Sequence, residues 1–500
     1  GAMLSVLILA VFGGSKRMRW IAVGSVVVVV ALGGLIKLER NTAFVQRIGF
    51  LERLASISIT DQTIASRFIN MSIALKGVKE RPVFGWGQEN YAVVFDKYYD
   101  PRMYRNEPWF DRVHDIIFDW WVTGGTLGLL AYLSIFAATL WALWRSGAFT
   151  LAERAILTGL LAGYFVHNLT VFDNITSYIL FGTLLAYIAY RSSEHLGAKP
   201  IVSGEISRNG FPYAVLVFAV LTAGVVWQVN ANAFFANRTL LAAISQQGNP
   251  DINLAYFEKA ISYGSLGTQE AREQLSQGAS QIARATEISL TTKQAFYDVA
   301  TREMQAQEKV SPLDARFPLF LGVVYQAFGN YEEAARSFNA AHLLSLNKQS
   351  IYYEIGQNAI ARGDFVAAVA AFKTAFELET SNMDARIFYA AGLIRAGNDA
   401  AAQELLKPAI EADRAADSRI LSAYSARKRL DLAIPLWQAH IVAKPDDAQA
   451  YFTLAALYFS GGNSAKAIAT LEAAAKAVPS VASQTESVIQ QIRSGTAKMQ

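Results

Sequence analysis

The stretch IIFDWWVTGGTLGLLAYLSIFAATLWALW, residues 116–144, decides how the first half of this chain folds. A helix that crosses the hydrocarbon of a bilayer needs about 20 mostly apolar residues, and this run exceeds that length. Trp120 and Trp121 stand near one end and Trp141 and Trp144 near the other, where a spanning helix carries its interfacial aromatics. Upstream, residues 20–36 are apolar and Val-rich, and residues 2–12 make a shorter apolar run. Downstream, residues 155–190 read as two spans folded back at Thr170-Val171-Phe172-Asp173-Asn174, and residues 211–229 as the last. The fold expected is all-α: a polytopic transmembrane helical region, truncated at its N-terminus, followed by a soluble α-helical solenoid.

If the spans alternate, Lys16, Arg17 and Arg19, then Arg145 and Arg154, then Arg191, Lys199 and Arg208 all fall on one side. The positive-inside bias makes that side cytoplasmic. The long polar segment 37–115 and everything after residue 229 then lie outside, on the periplasmic face of an inner membrane.

Composition narrows the function. Hydrophobic residues make up 53% of the chain, yet the two halves differ, the second being Ala-rich and polar. A net charge of +4 with no basic cluster among aromatics excludes a nucleic-acid partner. With no cysteine there is no disulfide or thiol chemistry, and no ligand spacing points to a metal or to any other cofactor. The opening Gly1-Ala2-Met3 precedes Leu4 without a basic leader. It fits a tag scar or a start part-way through a longer membrane protein, and the second is favoured.

The second half repeats. Leu321-Gly322, Tyr325, Gly329, Tyr331, Ala334, Phe338 and Ala341 follow the tetratricopeptide pattern, whose period is about 34 residues. The frame returns at Gly356, Gly363, Phe365 and Phe372, at Gly397 and Ala401, and at Leu454, Tyr458, Gly462 and Ala467. A degenerate copy lies around Lys428, Ala433 and Trp437. Such solenoids present surfaces to protein partners. Residues 230–313 are helical and polar, with no frame that can be set.

Chemistry concentrates in the outer segment. Arg67 is followed by Arg81-Pro82-Val83-Phe84-Gly85-Trp86-Gly87, then by Trp109-Phe110-Asp111-Arg112-Val113-His114-Asp115. A histidine at the mouth of a spanning helix, approached by arginines and aromatics, suits an anionic lipid-linked substrate. Tyr91, Phe95, Tyr98, Tyr99, Tyr104, Trp109 and Phe110 serve either to stack on sugars or, the favoured reading, as a core for the segment. His167-Asn168 near the outer end of a later span either approaches the site or, the favoured reading, forms a buried hydrogen-bonded pair.

From Arg67 through the Arg81–Gly87 turn to His114, Gly125 and Gly128, the chain resembles the O-antigen ligase and polymerase family of membrane glycosyltransferases. In that family an arginine precedes an rP-x-x-G-x-G turn, and a histidine opens the next helix as HN-x-x-L-x-x-x-x-E-x-G-x-x-G. Asp115 replaces the usual Asn and Thr123 the usual Glu, so no acid role carries over to Thr123. A periplasmic repeat tail is also similar to one branch of the family.

The resemblance implies transfer of a glycan from an undecaprenyl-pyrophosphate carrier to an acceptor hydroxyl, on a glycan, lipid or protein, by an inverting, metal-independent route. Neutral imidazole is poised for base catalysis near pH 7, which makes His114 the expected base. A helix start would hold it neutral, with Asp111 or Asp115 orienting the ring. Arg67, then Arg81, then Arg112 are the expected clamps for the departing diphosphate, and Trp86 and His167 complete the substrate-binding set. Ligase, polymerase and protein O-oligosaccharyltransferase variants stay open, and a membrane-anchored repeat scaffold is the alternative from another class. The family carries further spans and a second arginine upstream, so the chain is expected to be inactive alone.

The organisation expected is thus a truncated span plus one transmembrane helix over 1–36 and an external catalytic loop over 37–115. The remaining spans follow over 116–229, a connector over 230–313, the repeats over 314–480 and a tail over 481–500.

Overall fold

The computed structural model describes residues 1–13, 16–56, 62–106, 109–195, 211–245 and 248–497, and among them every regular element is helical. The chain divides into two compact units, Gly1–Asn232 and Ala233–Gln500.

The first unit begins with α1 (Ala2–Phe12), α2 (Lys16–Leu38), α3 (Ala43–Arg47), α4 (Gly49–Ser56), α5 (Gln62–Glu80) and α6 (Tyr91–Lys97). It continues with α7 (Ile116–Arg145), α8 (Leu151–Asn168), α9 (Ile175–His195) and the start of α10 (Phe211–Ile244). Among the described residues three helices are long and apolar enough to cross a membrane: 19–38 of α2, α7 and α10. The fold-back expected over 155–190 is present as α8 and α9. Those helices fall short of a span's hydropathy because polar groups close their ends, among them Glu153, His167, Asn168 and Arg191.

The ends of these helices sort by chemistry. Phe12 packs on Trp144 with ring centroids 5.5 Å apart, Arg154 lies 5.8 Å over the same Trp144, and Arg191 donates to the Ala148 carbonyl at 2.7 Å. Arg19 reaches back to the Ala10 carbonyl at 3.2 Å. The basic residues expected on one side thus gather at one end, apart from Lys199 and Arg208, which lie outside the described residues. At the other end Asp173 accepts from Asn168 at 2.7 Å and Ser177 at 3.2 Å, and also from Tyr164. Between the ends a run of rings fills the bundle, with Trp120 stacked on Tyr132 at 5.2 Å and Phe136 on Phe181 at 5.2 Å.

Among its described residues, the segment expected as a loop over 37–115 is folded. It holds α3 to α6 and a 3-10 turn, Pro101–Arg105, around a core that includes Ile73, Trp86, Tyr91, Phe95, Met103 and Val113. Of the aromatics left open between two roles, Tyr91, Phe95, Tyr99 and Phe110 are core. Irregular spacing of its apolar residues hid these helices, because short elements that pack on one another need no long amphipathic stripe.

In the second unit α10 runs on to Ile244, and the unframed connector forms α11 (Pro250–Ser262), α12 (Thr268–Arg284) and α13 (Leu290–Val310). They share a core of Leu254, Phe257, Leu275 and Phe296. The pairs α14 (Arg316–Ala327) with α15 (Tyr331–Leu344), and α16 (Gln349–Ala361) with α17 (Phe365–Leu378), come next. Then come α18 (Met383–Arg395) with α19 (Asp399–Glu411), α20 (Ser418–Ala426) with α21 (Leu430–Ala443), and α22 (Ala448–Ser460) with α23 (Ser464–Ala477). The tail contains a further helix, α24 (Ala482–Ser494), which buries Ile489.

Glycine is needed where two helices touch: a Cβ on Gly322 would lie 2.5 Å from the Phe338 ring, and Gly356 faces Phe372 in the same way. Each pair turns through a left-handed residue. Gly329, Gly363, Gly397 and Gly462 take φ of 82°, 78°, 91° and 78°, and the degenerate copy places Lys428 there at 56°.

Candidate active site

The turn that follows α5 locks into a break in α7. Gly125 has φ 66° and ψ −170°, so α7 is interrupted there. Into the break fits the 82–87 turn: Trp86 N–H donates to the Val122 carbonyl at 2.9 Å and Gly87 N–H to that of Thr123 at 2.8 Å. In return Thr126 N–H donates to the Pro82 carbonyl at 2.8 Å. The contact is backbone on backbone: a Cβ on Gly85 would sit 2.5 Å from Gly125 N, and one on Gly125 would collide with the Val83 carbonyl. Trp86 is buried with its indole N–H on the Gly77 carbonyl at 3.0 Å, and Arg81 stacks on its ring at 4.0 Å. Trp86 therefore supports the turn and carries Arg81.

His114 sits just before α7, in the left-handed region at φ 63°. Its Nδ1 is 3.1 Å from the Arg112 carbonyl. A carbonyl only accepts, so Nδ1 carries the proton and, in the neutral ring, Nε2 is left with its lone pair. Phe110 and Phe172 pack edge-on against the imidazole, at 5.4 Å and 5.0 Å. The half-buried ring is thereby held against the turn between α8 and α9.

Asn70, fully buried on α5, fixes the strained backbone. Its side-chain nitrogen donates to the carbonyls of Val113 at 2.8 Å and Arg112 at 3.2 Å. The Tyr91 hydroxyl donates to Asn70 Oδ1 at 2.5 Å. Arg112 is engaged on both terminal nitrogens, by Asp119 at 3.0 Å and Glu89 at 2.5 Å, while Asp119 also accepts from Val113 N–H at 3.3 Å. Arg112, expected as a clamp, is thus tied within the protein by two carboxylates, one on each terminal nitrogen of its guanidinium.

Asp115 does not face the ring either: it caps α7, accepting from Ile117 and Phe118 N–H, both at 3.0 Å. Asp111 is exposed in a non-helical stretch, so the helical turn expected to bring it to His114 is not formed there. His167 is exposed at the end of α8 while its neighbour Asn168 is buried on Asp173, so the two do not act as a buried pair.

Arg67 is half-buried on α5, one turn ahead of Asn70. Among the described residues it has no ion pair or hydrogen bond, unlike Arg112. The two side chains are linked through Asn70, which stands three residues after Arg67 on α5 and holds the carbonyls of Arg112 and Val113 ahead of His114. Beyond them, Glu80 is held below the usual carboxylate range by Lys97 and Tyr98, and that hydrogen bond pushes the Tyr98 hydroxyl up to about 12.

Sequence spacing did not reveal Asn70, Glu89 or Asp119, and it offered Tyr91 only as a stacking or core aromatic. For Asp119 a signal existed: a carboxylate inside an apolar run demands a partner. For Asn70, and for its bond with Tyr91, there was none.

Comparison with known proteins agrees with this division. Residues 1–133 match the family model described as O-antigen ligase, and residues 359–426 and 448–480 match models described as tetratricopeptide repeat. The chain thus joins an O-antigen ligase-type region to a tetratricopeptide-repeat tail. Similar solved structures include YrrB, described as a TPR protein with an unusual peptide-binding site, at 19% identity over 35% of this chain and 92% of that one, TM-score 0.25. MamA protein is similar at 18% identity over 42% and 95%, TM-score 0.24. Yeast Tom70 is similar at 12% identity over 87% and 97%, TM-score 0.36. No curated protein matches the chain.

Proposed function

We propose that the first unit is a glycosyltransferase of the O-antigen ligase type, moving a glycan from undecaprenyl pyrophosphate to an acceptor hydroxyl on the outer side of the cytoplasmic membrane. The observation that carries this reading is the tie between His114 Nδ1 and the Arg112 carbonyl, which reserves Nε2 for an incoming proton. The acceptor O–H gives its proton to Nε2 as its oxygen attacks the anomeric carbon from the face opposite the carrier. The bond from that carbon to the diphosphate oxygen breaks, and the diphosphate leaves with the electron pair. Arg67 balances the charge that grows there, with Arg81 as the outer cation.

The gathering of Arg19, Arg154 and Arg191 at the opposite end supports placing His114 on the outer side. The repeat tail fits a scaffold that gathers a protein partner near the site.

Substituting His114→Ala and Arg67→Ala at the native locus and resolving carrier-linked from transferred glycan on gels tests this reading. Both variants should assemble in the membrane yet leave glycan on the carrier. Full transfer by His114→Ala would end the proposal.

A further inference from the structure

Residues 39–56 leave the end of α2 and fold into α3 and α4. Their outward side is apolar in an unusual way: Phe44, Ile48 and Phe50 are 70%, 41% and 70% exposed, whereas Val45 and Ala55 are buried. Arg40, Arg47 and Arg53 are exposed among them. Water is a poor solvent for two protruding phenyl rings on adjacent short helices, and such a patch marks an interaction surface.

The occupant follows from position. The apolar window of α2 is wholly unburied within the protein and long enough to cross a membrane, so the residues directly after Leu38 emerge at headgroup level. There an apolar face flanked by arginines matches a bilayer surface, whose acyl edge takes the rings and whose phosphates take the guanidinium groups.

We propose that α3 and α4 form an interfacial anchor, with Phe44, Ile48 and Phe50 inserted at the outer edge of the acyl region of an anionic bilayer and Arg40, Arg47 and Arg53 on its phosphates. The anchor sets the level of α5, which follows in the chain and carries Arg67. If the transfer reading above holds, it keeps that guanidinium at the depth of a lipid-linked diphosphate; the anchor itself does not depend on that reading.

The chain has no native cysteine, so single spin labels report depth directly. Phe50 and Glu52 project about 200° apart on α4, at roughly 100° per residue. With the full chain in vesicles of phosphatidylethanolamine and phosphatidylglycerol, Phe50→Cys and Glu52→Cys labels are compared for collision with oxygen and with a water-soluble nickel chelate. The ratio of oxygen to nickel accessibility should be several-fold higher at 50 than at 52. Equal, nickel-accessible labels would overturn the anchor, and so would a label at 50 shielded from both reagents, since protein would then cover it. The same comparison in a His114→Ala background should be unchanged, which separates failure of the anchor from failure of the catalytic reading.

Discussion

The side-chain nitrogen of Asn70 donates to the carbonyl oxygen of Val113 at 2.8 Å, joining residues 43 positions apart. The next residue is His114 at φ 63°, a conformation that costs a side-chain-bearing residue on the order of 1–3 kcal/mol. Such backbone persists only where its surroundings over-determine it, and Asn70 does so from one side while Asp119 holds Arg112 and Val113 from the other.

Asn70→Ala is therefore expected to destabilise the first unit by about 1–3 kcal/mol, the cost of leaving buried partners unsatisfied. It should also lower transfer at least tenfold without touching substrate. Asn70→Asp should do no better, since a carboxylate offers an acceptor to two carbonyls that need a donor. Thermal unfolding in detergent and glycan transfer measured side by side check this. A variant that keeps its stability and its rate removes Asn70 from the positioning network.

The glycines of the outer motif differ sharply in what they tolerate. At Gly125 an added Cβ would collide with the Val83 carbonyl at a φ of 66°, while at Gly128 the nearest atom is 3.6 Å away, an ordinary contact. Gly125→Ala should open the docked turn and abolish accumulation of folded protein, whereas Gly128→Ala should stay within about 0.5 kcal/mol of the parent. Membrane-fraction abundance and protease resistance of the two variants give the comparison. Equal behaviour would mean that the break in α7 is not held by the 82–87 turn.

Much of this was legible in the sequence because it rests on local chemistry. The Trp-bounded run gave α7, the Gly-marked period gave the repeats, and Asp115 before an apolar run has the signature of a helix cap. It was read as a partner for His114 because two residues adjacent in sequence invite that pairing, although a cap must point back along its own helix. Arg112 misled for a related reason. Nothing local distinguishes an arginine awaiting a ligand from one already held by Glu89 and Asp119, 23 residues before it and 7 after it. The pairing of Asn70 with Tyr91 was beyond reach, since both are common residues whose roles exist only once α5 and α6 pack.

Lys428 tests the repeat frame. Four copies turn through glycine and the degenerate copy through Lys428 at φ 56°, where a Cβ costs roughly 1–2 kcal/mol. Lys428→Gly should stabilise the α20–α21 pair by about 1 kcal/mol after the added chain entropy of glycine is deducted. Hydrogen exchange of the buried amides in α20 should slow accordingly. Unchanged or faster exchange would show that the lysine side chain contributes what its backbone forfeits.

A histidine ties α21 to the connection after α19 and to the start of α22. His440, buried on α21, meets Asp413 at 2.7 Å through Nδ1 and Asp447 at 3.1 Å through Nε2, while Lys444 also reaches Asp413 at 2.9 Å. Burial opposes the charged ring, but hydrogen bonds to Asp447 and Asp413 outweigh it and push its pKa above the ordinary histidine value. A pKa raised by folding contributes stability that is complete below about 6.5, the unfolded value, and is lost as pH climbs through the folded one. The aspartates shift the other way: Asp447 is lowered chiefly by His440, and Asp413 by Lys444 and His440 against its own burial. Their contribution fades as pH falls below the usual carboxylate range. His440→Gln should therefore cost roughly 1–2 kcal/mol near pH 6, within the range for charge-assisted hydrogen bonds once partial exposure of Asp447 is discounted, and markedly less near pH 9. Exchange rates in α21 measured at both pH values decide it, and a penalty that stays constant with pH would mean that the ring is neutral in the fold and acts by packing alone.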